Sequence, residues 1–417
     1  MQVIYSIGGC VFAGKGIGQT AYQGARAFFR HNFLKKIIVP AFVSSEIPES
    51  LISKVPSNPP GLNRVFGEQY GSLIKDNLQD FLAARKIETC DIFHGWAGMS
   101  LRSGRRAKTW GAKYIVQRAS SHILTQKKLL EEEYENWGIK AKPVLPQVVE
   151  RNLAEYEEAD YILLPSEFAK NSFLEHGVAE EKLLMIPFGT DIEKLKTPAC
   201  ALRRQSYGAS ATEASAGRQN SKLPPARSVA KAMERRRPRL RRAGKTQNSK
   251  LSVLFVGQIS LRKGIPYLLQ AWQELKLKNA ELILVGNVTN EIQKIFRLSD
   301  SQALRITGFQ DPVFYYQSAD IFVFPSIEEG SALVIYEALA AGLPVITTFN
   351  SGSVVRDNIE GFIVPIRDKE ALKEEILKLY GDEKLRAKMS AAARKRAEEF
   401  GWEKHGERLV DSYKQLV

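Results

Sequence analysis

Cysteine is scarce. Cys10, Cys90 and Cys200 are scattered through 417 positions, odd in number and without a C-x2-C pair. That argues against a disulfide framework or a cysteine-built zinc site and fits a reducing compartment. No apolar run reaches the roughly 18 residues that a spanning helix needs. The chain opens directly on an extended stretch, Gln2–Ile7, without a basic leader, apolar segment or cleavage site. Neither export by a signal peptide nor a membrane span is expected, and the expected location is cytoplasmic. Acids are outnumbered, 46 against 60 Lys and Arg, for a net charge of +14. Nearly all of that excess sits in residues 199–250, which hold ten Arg, four Lys and two Glu. The segment is rich in Ala, Ser, Gly, Gln and Pro and poor in large apolar groups, so it cannot bury enough surface to offset the entropy of ordering. A disordered basic insertion is expected there. It could touch RNA, polyanions or anionic lipid, or serve only as a solvated linker.

What remains is nearly neutral and strongly patterned. An apolar content of 44% in a chain of this length supports two domains, each with its own core. Strand-like and helix-like segments alternate through both halves, the pattern of doubly wound parallel sheets. In the first half the strand Gln2–Ile7 runs into a glycine-rich loop and a helix from about Gly18 to Arg30. Gly9 to Lys15 match the G-x4-G-K of a phosphate-binding loop, but Gly16 stands where a Ser or Thr hydroxyl would hold magnesium. An anion site without a metal is the better reading. Further strands are expected at Ile37–Val43, Asp91–His94, Lys113–Gln117, Tyr161–Leu164 and Leu183–Pro187, with a helix at Gln69–Arg85. His94 ends its strand, where open α/β sheets bind ligands. Arg118 and His122, at the next strand end, either hold an acceptor or cap the following helix. Arg102, Arg105, Arg106 and Lys108 share a basic helix that is either solvated or lies on a membrane surface.

The second half restarts with the apolar strand Leu251–Val256, followed by Arg262 and Lys263 just before a helix start. Two cations at that point suit a diphosphate, since Arg forks onto oxygens and Lys acts as a point charge. Phe309 leaves another strand end. The organising stretch is 324–347, FPSIEEGSALVIYEALAAGLPVIT, which reads as strand end, turn, helix and buried strand. Glycine at 330 would let backbone N–H groups approach an anion at the helix N-terminus. Glu329 and Glu337 are eight residues apart, a helical rise of about 12 Å. Glycosidase carboxylates face each other across roughly 5 to 9.5 Å, so these two would grip different parts of one extended ligand.

The stretch resembles the E-x7-E signature of retaining, nucleotide-sugar-dependent glycosyltransferases of the GT-B fold, the group 1 or family 4 enzymes. The glycine run at 14–18, DIFHGWAG around His94, GQISLRKG at 257–264 and PFGTD at 187–191 are similar to that family's motifs in the same order. The resemblance implies two Rossmann-like domains facing a cleft: residues 1–193 on the acceptor side, a linker at 194–250, a donor-nucleotide domain at 251–400, and a last helix at 401–417 crossing back to the first domain. It implies transfer of a sugar from a nucleoside diphosphate to a hydroxyl acceptor with retention, without metal or other cofactor. Glu329 would meet the sugar and Glu337 the ribose. His94 would reach the reacting centre, and Arg262 and Lys263 the diphosphate. The Gly330, Ser331, Ala332 and Leu333 amides would stabilise phosphate charge, Gly16 would close from the opposite domain, and main chain at Phe309 would clasp the base. Ser331 and Ala332 depart from the Phe and Gly of many relatives, which bears on the shape of the donor pocket. A sugar-nucleotide epimerase or a phosphorylase of related architecture, or a non-enzymatic binder of RNA or anionic surfaces through the basic insertion, are the alternatives.

Overall fold

The computed structural model describes residues 1–196, 250–296 and 303–417, apart from residues 15, 44, 57, 58, 60 and 141. The basic insertion therefore lies, up to residue 249, outside the described residues. So do Cys200 and Lys15 of the glycine loop.

Two parallel sheets carry the chain. The first has seven strands in the order Ile52–Lys54, Leu34–Val39, Val3–Ser6, Ile92–Trp96, Lys113–Gln117, Tyr161–Leu164, Leu183–Met185. The second has six, in the order Leu304–Ile306, Ala280–Val285, Leu251–Val256, Ile321–Phe324, Val345–Thr348, Gly361–Val364. In both, the strand order runs outward one way and then reverses, leaving a crevice beside the first strand at the carboxyl ends. In the second domain this crevice lies between the ends of Leu251–Val256 and Ile321–Phe324, which pair directly.

The strands are apolar on both faces because helices cover both. The period of two is visible in the first sheet. Val3, Tyr5, Ile37, Val39 and Ile115 pack on one side with the helix Ile17–Arg30. Ile4, Ile38, Tyr114 and Val116 pack on the other with Ala83, Ala107 and Phe173. The side holding Val3 and Tyr5 also receives Leu409, Val410 and Tyr413 from the final helix, Trp402–Lys414. That helix is tied down by His405 Nδ1 at 2.8 Å from Pro187 O and by Arg30 Nη1 to Glu403 at 2.8 Å. Trp402 packs with Phe188, Tyr336 and Phe400, a small cluster shared by both domains.

Besides shifts of strand ends, two elements differ from expectation. The stretch expected as one strand, Ile37–Val43, is split at Pro40 into Leu34–Val39 and Ala41–Phe42. Proline has no N–H with which to continue a ladder. The helix expected from Gln69 begins at Leu62 and bends where Gly67 takes φ 77°, a conformation that glycine adopts freely.

Candidate functional site

The second domain's crevice is built by two loops that knit together. After Leu251–Val256 the chain turns through Arg262 and Lys263 into the helix Ile265–Leu275. Gly264 heads that helix at φ 67°, and a Cβ there would lie 1.9 Å from Pro325 O, so only glycine fits against the neighbouring loop. Ile327 N–H and Ser326 Oγ both donate to Arg262 O, at 2.9 and 3.2 Å. Arg262 Nε donates back to Glu328 O at 3.0 Å. The arrangement fixes the backbone of both cations and both acids before any side chain is considered.

The side chains then form one charged cluster. Arg262 Nη2 lies 2.8 Å from Glu329 Oε1 and 3.0 Å from Glu328 Oε2. Lys263 Nζ contacts the same Glu329 oxygen and stands over the Phe324 ring. Burial draws the Lys263 ammonium below its ordinary value, and the Glu329 carboxylate opposes that shift. Two cations and two carboxylates in such contact can bind an oxyanion and orient hydroxyl groups beside it.

Glu328, which sequence reasoning passed over as a turn residue, is the most deeply held of the four. Its side chain is 0% exposed. Oε1 accepts from Ser120 Oγ at 2.6 Å, Ser121 Oγ at 2.8 Å and Ser121 N–H at 3.1 Å, all from the first domain. Oε2 accepts from Gln126 Nε2 at 3.1 Å and pairs with Arg262. Burial alone would raise its pKa, but Arg262 and the serine donors outweigh that and hold it at about 2.

The domains meet here directly. A Cβ on Gly330 would lie 2.2 Å from Ala119 O, and Gly330 O accepts from Ser166 Oγ. Gly330 has no left-handed φ. Close approach of the opposite domain requires glycine at this position. The Ala332 N–H donates to Ser351 O at 3.1 Å, which removes it from the expected set of phosphate donors. Ser331 turns its hydroxyl inward to Gly352 O and Tyr336 Oη, at 3.0 and 2.8 Å. Leu333 opens the helix Leu333–Ala341. Glu337, further along it, accepts from Tyr316 Oη at 2.7 Å. Burial raises its pKa; Tyr316 and then Lys194 lower it, while nearby Asp311 adds to the rise. Asp311 follows Phe309, which is 65% exposed at the end of Leu304–Ile306. Glu337 therefore sits toward the loop carrying Phe309, and the ion cluster sits at the other end of the same helix.

The first-domain expectations fare differently. His94 is corrected from a site residue to a core residue. The strand runs on to Trp96, so His94 lies inside the sheet, 0% exposed and stacked on Tyr5. Tyr413 Oη lies 2.7 Å from Nδ1, and Nε2 lies 2.9 Å from Gln117 Oε1. An amide oxygen only accepts, so Nε2 carries the proton and Nδ1 accepts. Burial lowers its pKa to about 3, so it stays neutral. His122 is likewise a cap: its Nδ1 accepts from Leu124 N–H and its ring stacks on His176. Arg118 braces the turn that Glu328 grips, donating to Ser121 O, Asn152 Oδ1 and Gln126 Oε1 at 3.0, 3.1 and 2.7 Å. Both side chains are thus engaged within the first domain. Gly16 heads the helix Ile17–Arg30 and is exposed, with open space where a Cβ would be.

Two Rossmann-like parallel-sheet domains meeting across their strand ends, with the final helix returned to the first, constitute the GT-B fold of glycosyltransferases. Residues 236–396 match the family model of Glycosyl transferases group 1. A segment of 163 residues is 34% identical to the capsular polysaccharide biosynthesis glycosyltransferase CapM of Staphylococcus aureus, covering 37% of this chain and 43% of that one. The chain spans about half or less of the length of the curated relatives it matches. Over its whole length it superposes on sucrose-phosphate synthase of Thermosynechococcus elongatus with a TM-score of 0.66 at 20% identity, covering 100% and 99% of the two chains. It superposes on Anabaena HepE in complex with UDP with a TM-score of 0.65 at 14% identity, covering 100% of both. At such identities the likeness is one of fold.

Proposed function

We propose that this chain is a glycosyltransferase that moves a sugar from a nucleoside-diphosphate sugar to a hydroxyl acceptor, with retention at the anomeric carbon. The observation that carries the reading is the Arg262–Lys263–Glu329 cluster at the second sheet's crevice, closed over by the first domain. As the glycosyl bond breaks, negative charge builds on the leaving phosphate. Cations fixed there stabilise the transition state more than the ground state and so raise the rate. Arg262 and Lys263 supply them, and no resident metal or cofactor enters the reading. Glu329 orients the sugar and Glu337, about two helical turns away, the ribose, with main chain near Phe309 at the base. The acceptor hydroxyl then attacks from the face that the phosphate leaves. HepE was solved with UDP, which makes UDP-sugars the first donors to try.

A cytoplasmic site of action, at an anionic membrane face, belongs to the same reading. Among the described residues no helix is long and apolar enough to cross a membrane. Arg106 stands over the exposed Trp110 ring, an aromatic and cationic pair that suits lipid headgroups.

The test is differential thermal stabilisation by UDP-, GDP- and ADP-sugars, since a ligand that binds only the folded chain raises its melting temperature. One of them should stabilise the wild type, and Glu337→Ala should abolish that shift while leaving the unliganded melting temperature within a few degrees. No stabilisation by any nucleotide sugar, or an unchanged shift in the variant, would count against the assignment. Isomerised donor formed without acceptor would point to an epimerase.

A further inference from the structure

Glu328 plays no part in that chemistry, yet it is the residue through which the two domains and the phosphate-binding cation touch. We infer that Glu328 is a positioning residue: it makes the seating of Arg262 conditional on closure of the first domain. The inference rests on the donor-site reading for its consequence and on geometry for its substance.

Each carboxylate oxygen has a separate task. Oε1 is filled by the Ser120 and Ser121 hydroxyls and the Ser121 N–H of the first domain. Oε2 is shared by Gln126 of the first domain and Arg262 of the second. The catch is itself rigid. Arg118 holds Ser121 O and Gln126 Oε1, and Gln126 Nε2 donates to Ser120 Oγ at 3.0 Å as well as to Glu328. A buried carboxylate needs all these donors to remain ionised. With the first domain swung away, the Glu328 carboxylate loses every hydrogen-bonding or ion-pair partner described for it except Arg262. The guanidinium, which also pairs with Glu329, is then held by two carboxylates with nothing to divide it between them. With the domains closed, Ser120, Ser121 and Gln126 take over most of the Glu328 charge and fix the angle at which Arg262 faces the crevice. The residue number separating the serines from Glu328, 208 and 207, makes this a tertiary device that no local pattern announces.

The consequence is a measurable coupling between first-domain hydroxyls and a second-domain cation. Inorganic pyrophosphate is the probe, because it needs neither the right base nor the right sugar. Its affinity for the full chain is measured by calorimetry at a temperature where every variant is folded. The wild type should bind it and Arg262→Ala should not. The double variant Ser120→Ala/Ser121→Ala should bind about ten-fold more weakly although its substitutions lie in the other domain, a coupling of ordinary size. Glu328→Gln keeps the shape and the Oε1 acceptor but turns an amide N–H₂ toward Arg262 and Gln126, so the line to Arg262 is cut. Whatever affinity that variant has, adding the two serine substitutions should change it by less than about two-fold. Serine variants that bind as tightly as wild type, or that weaken binding equally in the Glu328→Gln background, overturn the inference and leave the donor site standing. Pyrophosphate binding that ignores Arg262→Ala overturns the donor-site reading itself.

Discussion

Gly330→Ala is the substitution whose effect can be worked most directly from contacts. A Cβ at 330 would lie 2.2 Å from Ala119 O, 2.3 Å from Ala119 C and 2.4 Å from Ser120 N. All three are backbone atoms, so no side chain can rotate away. Ordinary contact needs more than an ångström of additional separation from each. Retreat in the other direction is closed too, because Gly352 packs so tightly that its own Cβ would come 2.0 Å from Gly330 O. The remaining relief is for the domains to part by about an ångström, which stretches the 2.6, 2.8 and 3.1 Å bonds from the serine turn to Glu328. Overpacking of this kind costs about 1–3 kcal/mol. Hydrogen bonds to a charged group add about 1.5–3 kcal/mol each when they are lost. A drop of several kcal/mol in the closed state is expected, with both sheets intact. Small-angle scattering should show a larger radius of gyration for Gly330→Ala, and calorimetry a lower first transition. Gly381→Ala is the control: a Cβ there meets nothing within 4 Å and its φ is negative, so it should be neutral or slightly stabilising. If Gly330→Ala scatters and melts like the wild type, the direct contact between the domains at this point does not exist in solution and the reasoning built on it fails.

The other outcomes are more local. His94→Leu should destabilise by about 1–3 kcal/mol, because it strands the buried Tyr413 hydroxyl and the Gln117 amide, while pyrophosphate affinity at permissive temperature stays at the wild-type value; urea titration and calorimetry read the two. Arg367→Met removes the cation that Glu133, 0% exposed, meets at 2.8 Å across the domain boundary and leaves it only the Trp137 and Tyr267 donors; up to about 3–5 kcal/mol should be lost in denaturant unfolding. Acid should weaken the protein in two steps. His94, neutral in the fold down to about 3, binds a proton more readily when unfolded, so its contribution falls as pH drops below about 6.5 toward 3. Glu328, ionised in the fold down to about 2, contributes fully above the unfolded carboxylate range and loses that contribution as pH falls from 4.5 through 2. Melting temperatures measured across pH should therefore be flatter in the upper window for His94→Leu and in the lower window for Glu328→Gln; a profile unchanged by either substitution would contradict the burial and pairing described.

Adjacent positions show what a one-dimensional reading could and could not reach. Arg262, Lys263 and Glu329 were legible because each stands just past a strand, where chain direction alone puts side chains at the ligand-binding edge of a parallel sheet. His94 was misplaced by the same rule. Its strand continues through Gly95 and Trp96, so it lies two residues short of the edge, and Tyr413, which occupies one of its nitrogens, is 319 residues away. Glu328 carried the opposite signal, since a Glu-Glu-Gly turn reads as solvent-facing. Nothing near it in the chain could reveal that the first domain supplies three donors to one of its oxygens. Gly330 was legible as a glycine needed for close approach; that the approaching group is the backbone of Ala119 and Ser120 in the other domain was not.

The pair Glu328-Glu329 gathers these points into one physical statement. Two acids in tandem here serve two sets of partners. Glu329 faces the cations Arg262 and Lys263, and Glu328 faces the serine turn while keeping one oxygen on Arg262. Arg262 is the only cation of the cluster that touches both acids, and Lys263 pairs with Glu329 alone among the described residues. Closure therefore acts on Arg262 and leaves Lys263 to hold charge in either arrangement. It follows that Arg262→Lys, which preserves the charge but cannot fork between two carboxylates, should abolish the influence of the serine pair on pyrophosphate binding while retaining part of the affinity. Lys263→Arg should leave that influence in place, and the reverse ranking would show that the link between the domains runs through the wrong cation.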